Sequence, residues 1–254
     1  MILLGLLTAA VVMFATGLAL RAGDFTRLAD MQGSGLYGLA LQVIGLPLAA
    51  MLIGKGLGIA PHDGMGLMVL AFAPASSSSH VLVGLAGGNI GLSRTLTAWS
   101  TVIWLPVMLL AGMMAAVPAV WVVALLGMVL PMLGGLWMGR RDRVRAGRLE
   151  KRCALIGSAL TGLLMVVTLL RHAALLDLRL ALTVMALAAL AMMAGLLARP
   201  FGRSIALTLG IALPMQNLAL PLAVAAITDV GLPTALYGIA LYLAAFTVLL
   251  LSRR

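Results

Sequence analysis

At 254 residues, 63% hydrophobic, 9% charged and with a mean hydropathy of +1.16, this chain cannot be a water-soluble globular domain. Its net charge of +10 does not mark a nucleic-acid binder, because the basic residues sit in gaps between apolar runs and not on one folded face. The single cysteine, Cys153, excludes an intramolecular disulfide and offers no zinc-ligand spacing.

Runs of about 20 apolar residues match a hydrocarbon core of about 30 Å. They predict an all-α polytopic membrane protein, one domain over 1–254, because lipid leaves an open strand edge without partners. About nine transmembrane helices are expected, near 2–20, 36–54, 64–84, 93–115, 118–138, 153–171, 178–198, 204–226 and 233–251. No Lys or Arg precedes the first apolar run, which therefore reads as a retained span and not as a secretory signal.

Nine spans put alternate joints on opposite sides. The side reached after the first span collects Arg21, Arg27, Arg94, Arg140, Arg141, Arg143, Arg145, Arg148, Lys151, Arg152, Arg199, Arg203, Arg253 and Arg254, which is 14 of the 17 basic residues. Lys55, Arg171 and Arg179 fall on the other. Cytoplasmic joints carry the excess of Lys and Arg, so the N-terminus is expected outside a bacterial-type inner membrane and the C-terminus in the cytoplasm. Residues 139–152 read as a basic cytoplasmic loop that sets this orientation or, alternatively, meets anionic membrane lipid.

The same loop divides the chain into two parts of parallel layout. Spans one to four, residues 1–115, form a first repeat and spans six to nine, residues 153–254, a second. Span five, 116–138, is an orphan whose partner is expected ahead of span one in a longer ancestor. The third span of each repeat is interrupted, by Pro74-Ala75-Ser76-Ser77-Ser78-Ser79-His80 and by Pro214-Met215-Gln216-Asn217. An odd number of spans separates the copies, so they are expected to be inverted, the arrangement of many secondary transporters.

A helix broken inside the bilayer frees carbonyls on one half and amides on the other, tolerable only beside protein or a water-filled hollow. Carbonyl ends suit a cation; amide ends, with their positive dipole, suit an anionic group. Ser76, Ser77, Ser78 and Ser79 add hydroxyls at the first break, while Gln216 and Asn217 add amides at the second. Plainer roles are serine back-bonding to carbonyls four residues earlier and amides that glue helices together. Four serines after one proline, and two amides after another in the matching span, favour a site.

Several blocks resemble the bile acid:sodium symporter family. Met13-Phe14-Ala15-Thr16-Gly17-Leu18-Ala19-Leu20 with Asp24-Phe25 is similar to that family's opening; Gln42 with Pro47 follows its Gln-Phe-x-x-x-Pro. Leu92-Ser93-Arg94-Thr95-Leu96-Thr97-Ala98-Trp99-Ser100-Thr101 fits its Leu-Ser-x-Thr-Leu-Thr-x-x-Ser-Thr, and Met215-Gln216-Asn217 its Met-Gln-Asn. The resemblance implies ten helices, or nine when the first is absent, in panel and core domains with two broken helices that cross. It implies transport of organic anions, bile acids and small carboxylates among them, usually with sodium. One sodium site would draw on Ser79, His80, Ser93, Thr97 and position 212, the other on Gln42, Gln216, position 212 and carbonyls near Leu213 and Met215.

Two departures bear on that ion. His80 stands where the family has asparagine, and Ala212 where it has the glutamate shared by both sites. The seven acidic residues, Asp24, Asp30, Asp63, Asp142, Glu150, Asp177 and Asp229, lie in or beside joints. Neutral ligands alone would leave two buried cations uncompensated at several kcal/mol each, which argues against tight two-sodium coupling. Three roles are open to His80: a proton-coupling group, a protonated stand-in for the cation, or a neutral hydrogen-bonded packing residue.

No nucleophile-base constellation, zinc motif or P-loop is present, so no enzyme is expected, and no cofactor beyond a sodium ion. The expected function is secondary transport of a small organic anion, carboxylate or bile-acid-like, with Ser76 to Ser79, His80, Ser93, Thr97, Gln42, Gln216 and Asn217 lining the crossing. Alternatives are a proton-coupled or uncoupled facilitator, and a degenerate, non-transporting receptor or partner subunit.

Overall fold

A computed structural model describes residues 1–26, 28, 33–114 and 119–252. Arg27, Asp30, Arg253, Arg254 and the boundary between the expected first repeat and span five lie outside the described residues. The helices are α1 (Ile2–Ala19), α2 (Ala22–Thr26), α3 (Ser34–Leu57), α4 (Pro61–Ala71), α5 (Ser79–Leu85), α6 (Ile90–Met114), α7 (Val120–Arg141), α8 (Arg143–Arg171), α9 (Leu178–Leu196), α10 (Arg203–Ala212), α11 (Ala219–Thr228) and α12 (Leu232–Ser252). Among the described residues there is no strand beyond one isolated bridge, between Ala75 and Gln216. Among the described residues, six helices, α1, α3, α7, α8, α9 and α12, are long and apolar enough to cross a membrane. Two pairs of short helices, α4 with α5 and α10 with α11, fall at the predicted interruptions.

Prolines explain the irregular turns of the long helices. A proline cannot donate to the carbonyl four residues back and its ring pushes that carbonyl away. Pro47 follows a π turn at Leu41–Gly45, and Pro131 follows another at Val123–Val129. Such turns add a residue to the ladder and rotate the side chains within it. Gln42 lies in the first π turn and is buried.

Packing separates into two cores. In one, α1 lies against α7, α8 and α11. A Cβ at Gly17 would strike the Met132 carbonyl and one at Gly135 the Phe14 carbonyl, so α1 and α7 touch backbone to backbone. In the other, α9 packs on α3, α10 and α12, and α4 fits against α3 and α12. The second interrupted pair is enclosed: every residue from 206 to 225 is buried.

Joints gather at two ends of the bundle. At one, Arg179 reaches Gly58, and His172 is hydrogen-bonded through Nε2 to Asp229 at 3.1 Å. At the other, Arg21, Arg94 and Arg143 surround one small cavity, and Arg203 donates to the Ser252 carbonyl at 3.0 Å. The expected loop at 139–152 is almost entirely helical. Only Asp142 is extended, and its carboxylate caps α8 by accepting from the Arg145 amide at 2.9 Å. Residues 143–152 lack proline and are rich in helix-forming Arg, Leu, Glu, Lys and Ala, so the basic segment continues as the first turns of α8.

Candidate functional site

Both interruptions begin one turn after an α-helix stops and contain a proline that cannot continue the ladder. Residues 74–76 and 215–217 then run antiparallel. The Ser76 amide donates to the Met215 carbonyl and the Asn217 amide to the Pro74 carbonyl, each at 2.8 Å. The exposed backbone of one break is thereby satisfied by the other.

Side chains from three continuous helices complete that pairing. From α3, Gln42 Nε2 donates to the Ala73 carbonyl at 3.0 Å and to Gln216 Oε1 at 2.8 Å. From α6, Ser100 Oγ accepts the Ala75 amide at 3.0 Å, and from α12 the Tyr237 hydroxyl donates to the Pro214 carbonyl at 2.9 Å. Gln216 Nε2 donates to the Leu213 carbonyl at 3.0 Å, while Asn217 Oδ1 accepts from the Ala219 amide, the first of α11, at 3.2 Å.

Nine of the ten predicted residues fall into three groups, and the tenth, Asn217, is buried at the crossing, where its backbone amide pairs with the Pro74 carbonyl. Gln42 and Gln216 bind each other at the crossing. Ser79, His80, Ser93 and Thr97 form a buried cluster between α5 and α6: Ser93 Oγ lies 2.9 Å from both Ser79 Oγ and His80 Nδ1, and Thr97 Oγ1 donates to the Ser93 carbonyl at 3.1 Å. His80 Nε2 is buried with no hydrogen-bond partner among the described residues. Ser76, Ser77 and Ser78 instead face a cavity of about 360 Å³ that also touches Gln216, Asn217 and α8.

Ala212 is wholly buried at the end of α10. Every side chain in the three groups is neutral or, for His80, a base, so the donors available to a cation are hydroxyl and amide oxygens without a carboxylate. Ser100 and Tyr237 were not among the predicted site residues. Ser100 lies three residues after Thr97, on the same helix face, and that spacing could have pointed to it; Tyr237 pairs with a carbonyl 23 residues away and carries no local mark. A larger cavity of about 680 Å³, near Lys55, Met65 and Val230, touches none of the ten.

The model of the Sodium Bile acid symporter family matches residues 6–176, more than half of the chain. The chain belongs to this family. The match takes in Gln42, the four serines, His80, Ser93 and Thr97, while Ala212, Gln216 and Asn217 lie beyond it. Among curated relatives, the probable sodium/metabolite cotransporter BASS1, chloroplastic, of Arabidopsis thaliana is 32% identical over 92 residues, 36% of this chain and 23% of that protein. The uncharacterized sodium-dependent transporter YocS of Bacillus subtilis (strain 168) is 31% identical over 93 residues, 37% of this chain and 29% of that protein. The matched stretches thus span less than a third of either relative. The family and these relatives are transporters, not enzymes.

Proposed function

We propose that the chain is a secondary carrier for a small organic anion, with the crossing of the two interrupted segments as its binding region. The observation that carries this reading is the mutual pairing of residues 74–76 with 215–217 beside a cavity that Ser76, Ser77, Ser78, Gln216 and Asn217 help to line. The hydroxyls of Ser76, Ser77 and Ser78 and the ammonium of Lys151, which line that cavity, suit the anionic group of a carboxylate or bile-acid-like substrate. The reading includes nine crossings in two inverted repeats, 1–115 and 153–254 around span five at 116–138, sorted into panel and core domains. It also includes an inner membrane of bacterial type, with the N-terminus outside and the basic 139–152 segment in the cytoplasm.

Sodium coupling is weak or absent in this proposal. Ser79, Ser93, Thr97, Gln42 and Gln216 can offer oxygens to a sodium ion, but Ala212 supplies no charge, and Gln216 Oε1 already accepts from Gln42. Proton coupling is the second reading, favoured by buried His80 with its free Nε2. Uptake of radiolabelled carboxylates into proteoliposomes tests the proposal. The wild type is expected to accumulate or equilibrate one of them in choline as well as in sodium, with a pH dependence if protons are coupled. The double variant Ser79→Ala, Gln216→Ala is expected to lose about tenfold or more in uptake. Undiminished uptake by that variant would refute the site. A chain that gives neither uptake nor a substrate-dependent thermal shift across a broad anion panel would be a non-transporting receptor or partner subunit.

A further inference from the structure

Outside the crossing, at the arginine-rich end, lies a cavity of about 310 Å³ lined by Arg21, Arg94, Arg143 and Glu150. The four charges come from three elements distant in sequence: the residue after α1's end segment, the start of α6 and the start of α8. Three guanidinium groups beside one carboxylate leave a positive excess, with Arg94 and Glu150 half-buried and Arg21 and Arg143 exposed at the rim. Glu150 lies in the field of Arg94, Lys151 and Arg21, so it offsets part of that excess. The Nε of Arg94 is nevertheless buried without a hydrogen-bond partner among the described residues. Buried guanidinium donors are ordinarily met by oxygen acceptors, and a planar fork of donors fits the oxygens of a carboxylate or phosphate.

We infer that this cavity is an oxyanion site, taking the phosphate or carboxylate group of a small solute or of a lipid headgroup. Its volume is near the lower bound of about 300 Å³ for small-ligand sites, which limits the occupant to a compact group. Glu150 acts as the resident counter-ion that the incoming oxyanion displaces. The same carboxylate also lines the cavity at the crossing, so the two hollows share a wall. Arg94 directly follows Ser93, whose hydroxyl holds Ser79 and His80. The inference concerns binding alone and stands whether or not the crossing transports.

Thermal stability of the purified full chain in a zwitterionic detergent tests it. Inorganic phosphate and succinate are titrated at constant ionic strength in one arm, and dihexanoyl phosphatidylglycerol against dihexanoyl phosphatidylcholine in another. A saturable rise in Tm is expected, with apparent affinity falling on the order of tenfold in Arg143→Gln and rising in Glu150→Gln. Arg145→Gln and Arg148→Gln, on the same basic helix but outside the cavity, are expected to leave it unchanged. Saturation by phosphate or succinate identifies a free solute as the source. Saturation by phosphatidylglycerol alone identifies a headgroup. Either supports the site. Absence of saturation in every arm, or equal effects from all the arginine variants, would overturn it in favour of diffuse charge; should Arg94→Gln fail to fold, Arg143→Gln and Glu150→Gln still decide.

Discussion

Position 212 concentrates the chemistry of the crossing in one side chain. Ala212 is fully buried, one residue before Leu213, whose carbonyl accepts from the neutral Gln216 amide. Placing a carboxylate there removes a charge from water, at a penalty of several kcal/mol unless a cation accompanies it. The variant Ala212→Glu is therefore expected to melt at lower temperature than wild type in choline and to recover part of that loss in sodium, while wild type responds little to the exchange. A sodium response in wild type equal to that of the variant would show that the ion is held without this charge. Much of the site at this scale was legible from residue type and order. Ser79 bonds to Ser93 and, separately, Gln42 to Gln216, because a proline break announces unpaired backbone and polar neighbours answer it. The separation of Ser76, Ser77 and Ser78 from Ser79 was not legible, since it depends on where α5 begins and turns each hydroxyl.

Half-helices need more than their own ladders, because each is too short to be stable alone. Helix α10 gains its support from α9, where Gly195 lies against the backbone at Leu209 and Gly210 so closely that a Cβ would strike it. Gly195→Ala is expected to destabilise the protein by roughly 1–3 kcal/mol through overpacking, despite the better helix propensity of alanine. Gly56→Ala, where nothing lies within 4 Å, is expected to be neutral or stabilising. Thermal melts of the two variants check this; equal Tm values would mean that α9 and α10 are not clamped together. The order of elements could be read from hydropathy, as could both interruptions. The helical run from Arg143 could not, because the charge that signalled a joint is also good helix-forming sequence, and a single capping residue, Asp142, sufficed for the turn.

For the whole molecule, the arrangement of charge ties sequence to architecture. Arg21, Arg94 and Arg143, assigned to one side by counting spans, come together around one cavity, while Lys55 and Arg179 belong to joints at the other end. That grouping of charge, read with the positive-inside rule, is the basis of the proposed direction in the membrane. Because Cys153 is the only cysteine, a Cys153→Ser background isolates any thiol introduced elsewhere. Lys55→Cys and Arg148→Cys, both at exposed positions, report on opposite ends. In intact cells, a membrane-impermeant maleimide is expected to label Lys55→Cys at once and Arg148→Cys only after permeabilisation. The reverse pattern would keep the fold but turn it over. Labelling of both thiols from one side would break the proposed alternation itself, and with it the proposal that α5 and α11 are oppositely directed halves around a shared hollow.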